Sequence, residues 1–184
     1  MREPLANSAL KGGNSQVASA KSRRGMFRYV SYKVDDEYYT PPGAWEQIAK
    51  YIPRGKIVWE PFEGDGSSSA ALRELGFEVA SDDENFFDSA LKGGVVVTNP
   101  PFSQVKKILP RLKELGVPFI LLMPAHKLFT TYVREHFAGD GDFGVIVPRA
   151  RIHFNKPGLR KSRCPFDCLY YTWKIKDVNG VEFA

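Results

Sequence analysis

The chain has 184 residues, 43% hydrophobic and 26% charged, a balance that fits one globular domain and excludes fibrous and disordered classes. Lysine and arginine outnumber aspartate and glutamate by 26 to 21, a formal charge of +5 that is compatible with a polyanionic partner but does not identify one. No apolar run nears the ~18 residues of a membrane span, the first residues lack the apolar core of a secretory signal, and the two cysteines, Cys164 and Cys168, have no second pair and no suitably spaced histidine. These features predict an intracellular protein with reduced thiols, no membrane association and no metal site.

Residues 1–25 are rich in Ser, Ala, Gly, Asn and Lys without apolar periodicity, which predicts a disordered tail. Residues 26–184 then read as a single domain. Tyr38-Tyr39-Thr40-Pro41-Pro42 is an extended turn leading into a helix with Trp45, Ile48 and Ile52 on one face. A strand is predicted over 56–62, a glycine turn at Glu63-Gly64-Asp65-Gly66, and a helix from Ser67 to Leu75 with serines at its start and Gly76 at its end. A second strand covers 77–80 and closes on the acidic turn Ser81-Asp82-Asp83-Glu84. After the turn Asn85-Phe86-Phe87-Asp88 comes a third strand at Val95–Thr98, a helix over about 103–115, an apolar strand at 118–123 and a helix around 128–137. Further strands are predicted at 143–147 and, with mixed faces, at 167–175. Buried strands alternating with helices predict an α/β sandwich with a mostly parallel central sheet and an antiparallel late strand.

The most telling stretch is Thr98-Asn99-Pro100-Pro101-Phe102, at the carboxyl end of the third strand. The side-chain oxygen of Asn99 and the carbonyl of Pro100 can accept hydrogen bonds from one planar NH2 group. Two successive prolines, with fixed φ and no N–H, hold such acceptors rigidly. Phe102 is predicted to offer a flat face to a base. The pattern suits methylation of an amino nitrogen conjugated to a ring or carbonyl.

Ligands of open α/β sheets bind beyond the carboxyl ends of the strands. At the first strand end, Gly64 and Gly66 allow close backbone approach, and the following helix amino terminus favours a carboxylate. Glu60 is predicted to take a positively charged amino group, directly or through water. The turn fails as a nicotinamide fingerprint because Ser69 stands where the third glycine should be. Asp82 or Asp83, with Glu84 competing, is placed to hold ribose hydroxyls, and one of Phe86 and Phe87 to pack against adenine while the other is core, with Asp88 or a backbone group on the adenine amino edge. Finally, the stretch from Phe143 to Phe166 has no acidic residue but carries Arg149, Arg151, His153, Lys156, Arg160, Lys161 and Arg163, which predicts a phosphate-contacting surface.

Taken in order, Tyr39-Thr40-Pro41, Glu60-Pro61-Phe62-Glu63-Gly64-Asp65-Gly66, Asp82-Asp83, Phe86-Phe87-Asp88 and Asn99-Pro100-Pro101-Phe102 resemble the amino-methyltransferases of nucleic acids, specifically DNA adenine-N6 methyltransferases of phage and viral type. The resemblance covers about residues 36–175. It implies a Rossmann-like methyltransferase sandwich, S-adenosyl-L-methionine as cofactor, Tyr39, Thr40 and Pro41 closing over that cofactor with Pro61 and Phe62 beside it, and methyl transfer to adenine N6 in DNA. RNA, another amino group, or a non-catalytic role as a cofactor- or nucleic-acid-binding subunit are the alternatives. Only 33 positions separate Gly66 from Asn99 and nine follow Ile175. The expectation is therefore a catalytic domain without a separate target-recognition domain, its specificity supplied by loops or a partner subunit.

Overall fold

The structure, a computed structural model, describes residues 38–81, 84–155 and 165–184. Seven strands form one sheet: β1 (Val58–Glu60), β2 (Val79–Ser81), β3 (Val95–Thr98), β4 (Phe119–Pro124), β5 (Phe143–Val147), β6 (Cys168–Trp173) and β7 (Gly180–Phe183), in the spatial order β2-β1-β3-β4-β6-β5-β7. β1 pairs in parallel with β2 and β3, β3 with β4, and β5 with β7, whereas β6 runs antiparallel to both β4 and β5. The sheet is thus mostly parallel with an antiparallel late strand, as the alternation of buried runs predicts.

The central strands β1, β3 and β4 are buried along their whole length because both faces are covered. Alternate residues divide between two cores. Val58, Val95, Val97, Ile120 and Leu122 face one core with Trp45, Ile48 and Leu72 from the side of α1 (Pro42–Glu46) and α2 (Ser67–Glu74). Trp59, Val96, Phe119, Leu121 and Met123 face the other, with Ile108, Leu112 and Val133 from α3 (Val105–Leu115) and α4 (Thr131–Phe137). The Tyr170 hydroxyl donates to the Ala44 carbonyl and ties β6 to α1 within the first of these cores.

Three elements differ from expectation. The first helix ends at Glu46, although Trp45, Ile48 and Ile52 are all buried. Beyond it the backbone closes i→i−3 turns, with Ile48 N–H on Trp45 and Tyr51 N–H on Ile48, and Pro53 then stops any helix. The helix predicted around 128–137 is split. A 3-10 turn occupies Ala125–Phe129, Thr130 is extended, and α4 begins at Thr131. The break leaves Phe129 87% exposed. β7 lies after the last predicted strand and adds an outer edge beside β5. Cys168 is buried on β6, while the predicted tail and Cys164 lie outside the described residues. Among the described residues no helix is long and apolar enough to cross a membrane.

Candidate active site

The strand order reverses between β1 and β3, since β1 continues to β2 on one side while the chain moves through β3 to β4 on the other. Such switch points open a crevice at the carboxyl ends of the strands. Here it is a cleft of about 330 Å³ lined by Tyr38, Tyr39, Thr40, Pro61 to Asp65, Ser67, Ser68, Glu84, Asn99 and Pro101.

Glu60, the last residue of β1, is buried directly before Pro61, the first lining residue on that side. Its Oε1 accepts hydrogen bonds from the Phe62 N–H at 3.0 Å and from the Thr98 hydroxyl at the end of β3. The side chain is 1% exposed, and Oε2 has no partner. Burial pushes the carboxyl from 4.5 up to about 8, against the pull of the Thr98 and Phe62 hydrogen bonds and with repulsion from Glu63 adding to the rise.

The chain then turns through Gly64 (φ 59°) and Gly66 (φ 80°), both left-handed. Gly66 donates its N–H to the Glu63 carbonyl at 3.0 Å, and the Asp65 carboxylate accepts the Ser67 N–H at 3.0 Å as α2 starts. A Cβ on Gly64 would lie 3.2 Å from the Tyr39 ring, so this glycine is needed for its φ and for the close approach of the opposite wall.

That wall is the extended segment Tyr38–Pro41. Tyr39 exchanges two backbone hydrogen bonds with Asn155, each 2.9 Å. Thr40 is buried with its Oγ1 unpartnered, and Ser69 Oγ in α2 is likewise unpartnered. At the far end, Asn99 Nδ2 donates to the Tyr38 carbonyl at 2.7 Å. A carbonyl can only accept, so this contact determines which way the amide faces. Asn99 Oδ1 is therefore turned away from Tyr38, buried and without a partner.

Pro101 lines the cleft and its carbonyl accepts the Gln104 N–H at 2.9 Å, whereas Pro100 and Phe102 are buried and do not line it. Phe102 is 5% exposed. Tyr38 stacks on its ring at a centroid distance of 6.0 Å and 29°, and Phe154 and Phe166 meet it edge-on at 6.5 and 5.5 Å. The open flat face expected of Phe102 is absent, because Tyr38 covers it. Lys127, from the 3-10 turn after β4, donates to the Phe102 carbonyl at 3.3 Å and braces the same loop.

Phe86 is core rather than cleft, packed on Trp59 at 5.7 Å and Phe62 at 5.0 Å. Phe87 is half-buried against Phe86, and Asp88 is exposed and bonded to Asn85 at 2.6 Å; neither lines the cleft. Asp82 and Asp83 lie outside the described residues, as do Lys156, Arg160, Lys161 and Arg163 of the basic stretch. Arg149 and Arg151 are exposed, Arg151 with an ion pair to Asp167 at 3.2 Å. Over 151–155 burial alternates, with Ile152 and Phe154 inward and Arg151, His153 and Asn155 outward, so the basic side chains face solvent beside the Tyr39 wall. His126 is exposed at the end of β4, and burial of its ring together with Lys127 lowers its pKa.

Sequence reasoning missed Tyr38, Thr98, Lys127, Phe154 and Phe166 as parts of this site. Thr98 had a usable signal, a hydroxyl at a strand end next to Asn99, while the others come from distant segments. Among the described residues the charged side chains lining the cleft are Glu63, Asp65 and Glu84, all acidic, with Glu84 paired to Lys92 at 2.9 Å. Of the lining residues, Thr40 and Asn99 each have a buried, unpartnered oxygen, Oγ1 and Oδ1.

The fold is that of class I S-adenosylmethionine-dependent methyltransferases. A protein of Pyrococcus horikoshii named as an RNA methyltransferase is 15% identical to this chain, with 75% of this chain and 86% of that one covered at a TM-score of 0.53. A protein of Listeria monocytogenes named as a class I S-adenosylmethionine-dependent methyltransferase is 14% identical, with 82% and 66% covered and a TM-score of 0.50. No protein-family profile and no curated protein matches the chain.

Proposed function

We propose that this chain is an S-adenosylmethionine-dependent methyltransferase acting on the N6 amino group of adenine in DNA. The observation that carries the reading is Asn99. Its amide is held by the Tyr38 carbonyl so that a buried, unpartnered oxygen remains to accept from a substrate amine. An unpaired buried acceptor costs about 1–3 kcal/mol, which a matching donor on the substrate returns.

The residues present fit the cofactor. The cleft carboxylates of Glu63 and Asp65 suit its positive charges, Gly64 gives the backbone clearance, and Ser67 and Ser68 line the cleft at the start of α2, where a helix amino terminus favours the cofactor's carboxylate. The cofactor supplies the electrophilic methyl group. Asn99 Oδ1 accepts an amino hydrogen, which favours a more tetrahedral nitrogen with its lone pair withdrawn from the ring; the Pro100 carbonyl expected to accept the other lies outside the cleft lining. Alignment and placed dipoles supply most of the rate enhancement. The nitrogen loses its extra proton to solvent after transfer, so no strong base is required. Because Tyr38 covers Phe102 and itself lines the cleft, Tyr38 is assigned the face against the base, and Phe102 the task of holding Tyr38 in place. The basic stretch from Arg149 to Arg163 would contact phosphates, and choice of sequence would fall to loops or a partner subunit. RNA adenine presents the same amino group and is the second reading.

The test is purified protein with labelled S-adenosylmethionine and parallel DNA and RNA substrates, the modified base being identified by mass spectrometry. Methyladenine from DNA is expected, and Asn99→Ala abolishes transfer while cofactor binding survives. Near-normal turnover by that variant would overturn the assignment of Asn99, and label in RNA alone would replace DNA as substrate.

A further inference from the structure

Phe129 is the most exposed large apolar side chain among the described residues, at 87% against 71% for Phe183, the next. A single apolar residue in water is ordinary on a protein surface, but the placement of this one is specific. The 3-10 turn Ala125–Phe129 leaves the carboxyl end of β4, and the quartet Asn99–Phe102 leaves the carboxyl end of β3. The two strands are parallel neighbours, so both segments stand on one edge of the sheet. Lys127 joins them by donating to the Phe102 carbonyl at 3.3 Å.

The turn is fastened to the strands beneath it. Ala125 donates its N–H to the Asp167 carbonyl at 2.7 Å, and the Tyr171 hydroxyl reaches the Pro124 and Ala125 carbonyls at 3.0 and 3.2 Å. The Lys127 carbonyl accepts the N–H and the hydroxyl of Thr130 at 3.0 and 2.6 Å. Phe129 is therefore held out into water by a braced turn. Its ring lines an open depression of about 430 Å³ together with the buried Val133 and Phe137 and with Arg134. Arg134 is exposed and forms no ion pair among the described residues, and no acidic residue stands between Met123 and Arg134. An exposed ring set among cations without a counter-charge matches a base and its phosphate.

We propose that Phe129 stacks on a base next to the target adenine while Arg134 contacts the backbone of the same strand. This rests on the nucleic-acid reading above and gives it a second contact, apart from the cleft and from the stretch Arg149 to Arg163. Withdrawing an adenine from its stack bares one face of its neighbour. A ring presented on the sheet edge that carries the quartet covers that face. Such stacking reads no hydrogen-bonding edge, so it supplies affinity and register rather than choice of sequence. Lys127 is a positioning residue, because its bond to Phe102 sets the turn, and with it the ring, against the loop that carries Asn99.

The test is fluorescence-anisotropy titration of the full chain with a thymidine-rich DNA oligonucleotide holding one adenine, single-stranded and as its duplex. Phe129→Ala is expected to weaken binding about tenfold at an unchanged salt slope. It should leave S-adenosylhomocysteine affinity and melting temperature as they are, since the ring is already in water. Phe129→Tyr binds like the parent, whereas Phe129→Leu, apolar but without a ring face, binds like the alanine variant. Arg134→Gln lowers the salt slope by about one. Phe129→Trp reports the stacking directly: Trp45, Trp59 and Trp173 are buried, so emission from the new indole is quenched as the oligonucleotide binds. Parent-like affinity of Phe129→Ala or of Phe129→Leu would overturn this inference and leave the reading of Asn99 standing. Self-association of the parent that Phe129→Ala abolishes at unchanged DNA affinity would overturn it too, giving the depression to a protein chain. Failure of the folded parent to bind either DNA or RNA would instead overturn the nucleic-acid reading, and this inference with it.

Discussion

Replacing Gly64 by alanine tests how the glycine turn serves the cleft, and Gly66→Ala is the internal control. Both residues have left-handed backbones, at φ 59° and 80°, so an alanine at either costs about 1–2 kcal/mol of stability from conformation alone. Their surroundings differ. A Cβ on Gly66 meets nothing nearer than the flexible Glu63 carboxylate at 3.7 Å, whereas a Cβ on Gly64 lies 3.2 and 3.4 Å from two atoms of the Tyr39 ring. Tyr39 is poorly placed to retreat, because both its N–H and its C=O are tied to Asn155. The Gly64 methyl therefore pushes the Tyr38–Pro41 wall or the turn itself, and either movement reshapes the cleft. Each variant is expected to lower the melting temperature by about 2–8 °C, at roughly 2–4 °C per kcal/mol for a chain of this size. Binding of S-adenosylhomocysteine should fall about tenfold or more in Gly64→Ala and stay within about threefold in Gly66→Ala. Combining Gly64→Ala with Tyr39→Ala should cost less than the sum of the two, since the second change removes the ring that the methyl strikes. Equal affinity losses in the two glycine variants, or additive losses in the double variant, would refute the close-approach argument.

Other outcomes follow from the same contacts. Tyr38→Phe should retain methyl transfer and Tyr38→Ala should raise the KM for DNA more than it lowers kcat, as steady-state kinetics would show; an unchanged KM in Tyr38→Ala removes Tyr38 from the substrate face. Lys113 bonds the Asp140 carboxylate at 2.6 Å, and this contact, with the Trp173 indole N–H at 3.0 Å, holds the Asp140 carboxyl below its ordinary 3.8. A depressed carboxyl contributes stability above its unfolded value and loses it as pH falls through the folded value. Thermal unfolding of Asp140→Asn should accordingly show a shallower acid limb below about pH 4, and an unchanged slope would deny the ion pair a role in stability. Reversal of Arg160 and Lys161 to glutamate should weaken DNA binding and flatten its salt dependence. Equal affinity of that variant and the parent at low and high salt would detach the basic stretch from the substrate.

Much of the fold was legible because it rests on short-range patterns. The runs at 95–97 and 119–124 are apolar throughout, which only a strand covered on both faces tolerates, and the glycine turn declares itself by residues that accept positive φ. The quartet Asn99–Phe102 was legible for the same reason, since its chemistry is local. The limits of the first helix were not, because Ile48 and Ile52 keep helical spacing in a segment that closes tighter turns before Pro53. Phe102 reads as an exposed ligand face, yet it is packed beneath Tyr38; of Phe86 and Phe87, which the sequence does not separate, Phe86 is the one packed under Trp59.

Sequence by itself thus determined the elements, their alternation and the chemical identity of the strand ends. Tertiary structure decided which groups at those ends are satisfied. Asn99 meets its partner 61 positions away and Glu60 meets Thr98 at a separation of 38. No local pattern encodes such contacts; they arise when β1 and β3 become neighbours and the Tyr38 wall closes over both. Pairing one face of Asn99 while leaving its oxygen unpaired, and burying Glu60 without a cation, are properties of that assembly. Hydrogen-bond satisfaction and desolvation depend on everything packed around a group, and only the folded chain supplies those surroundings.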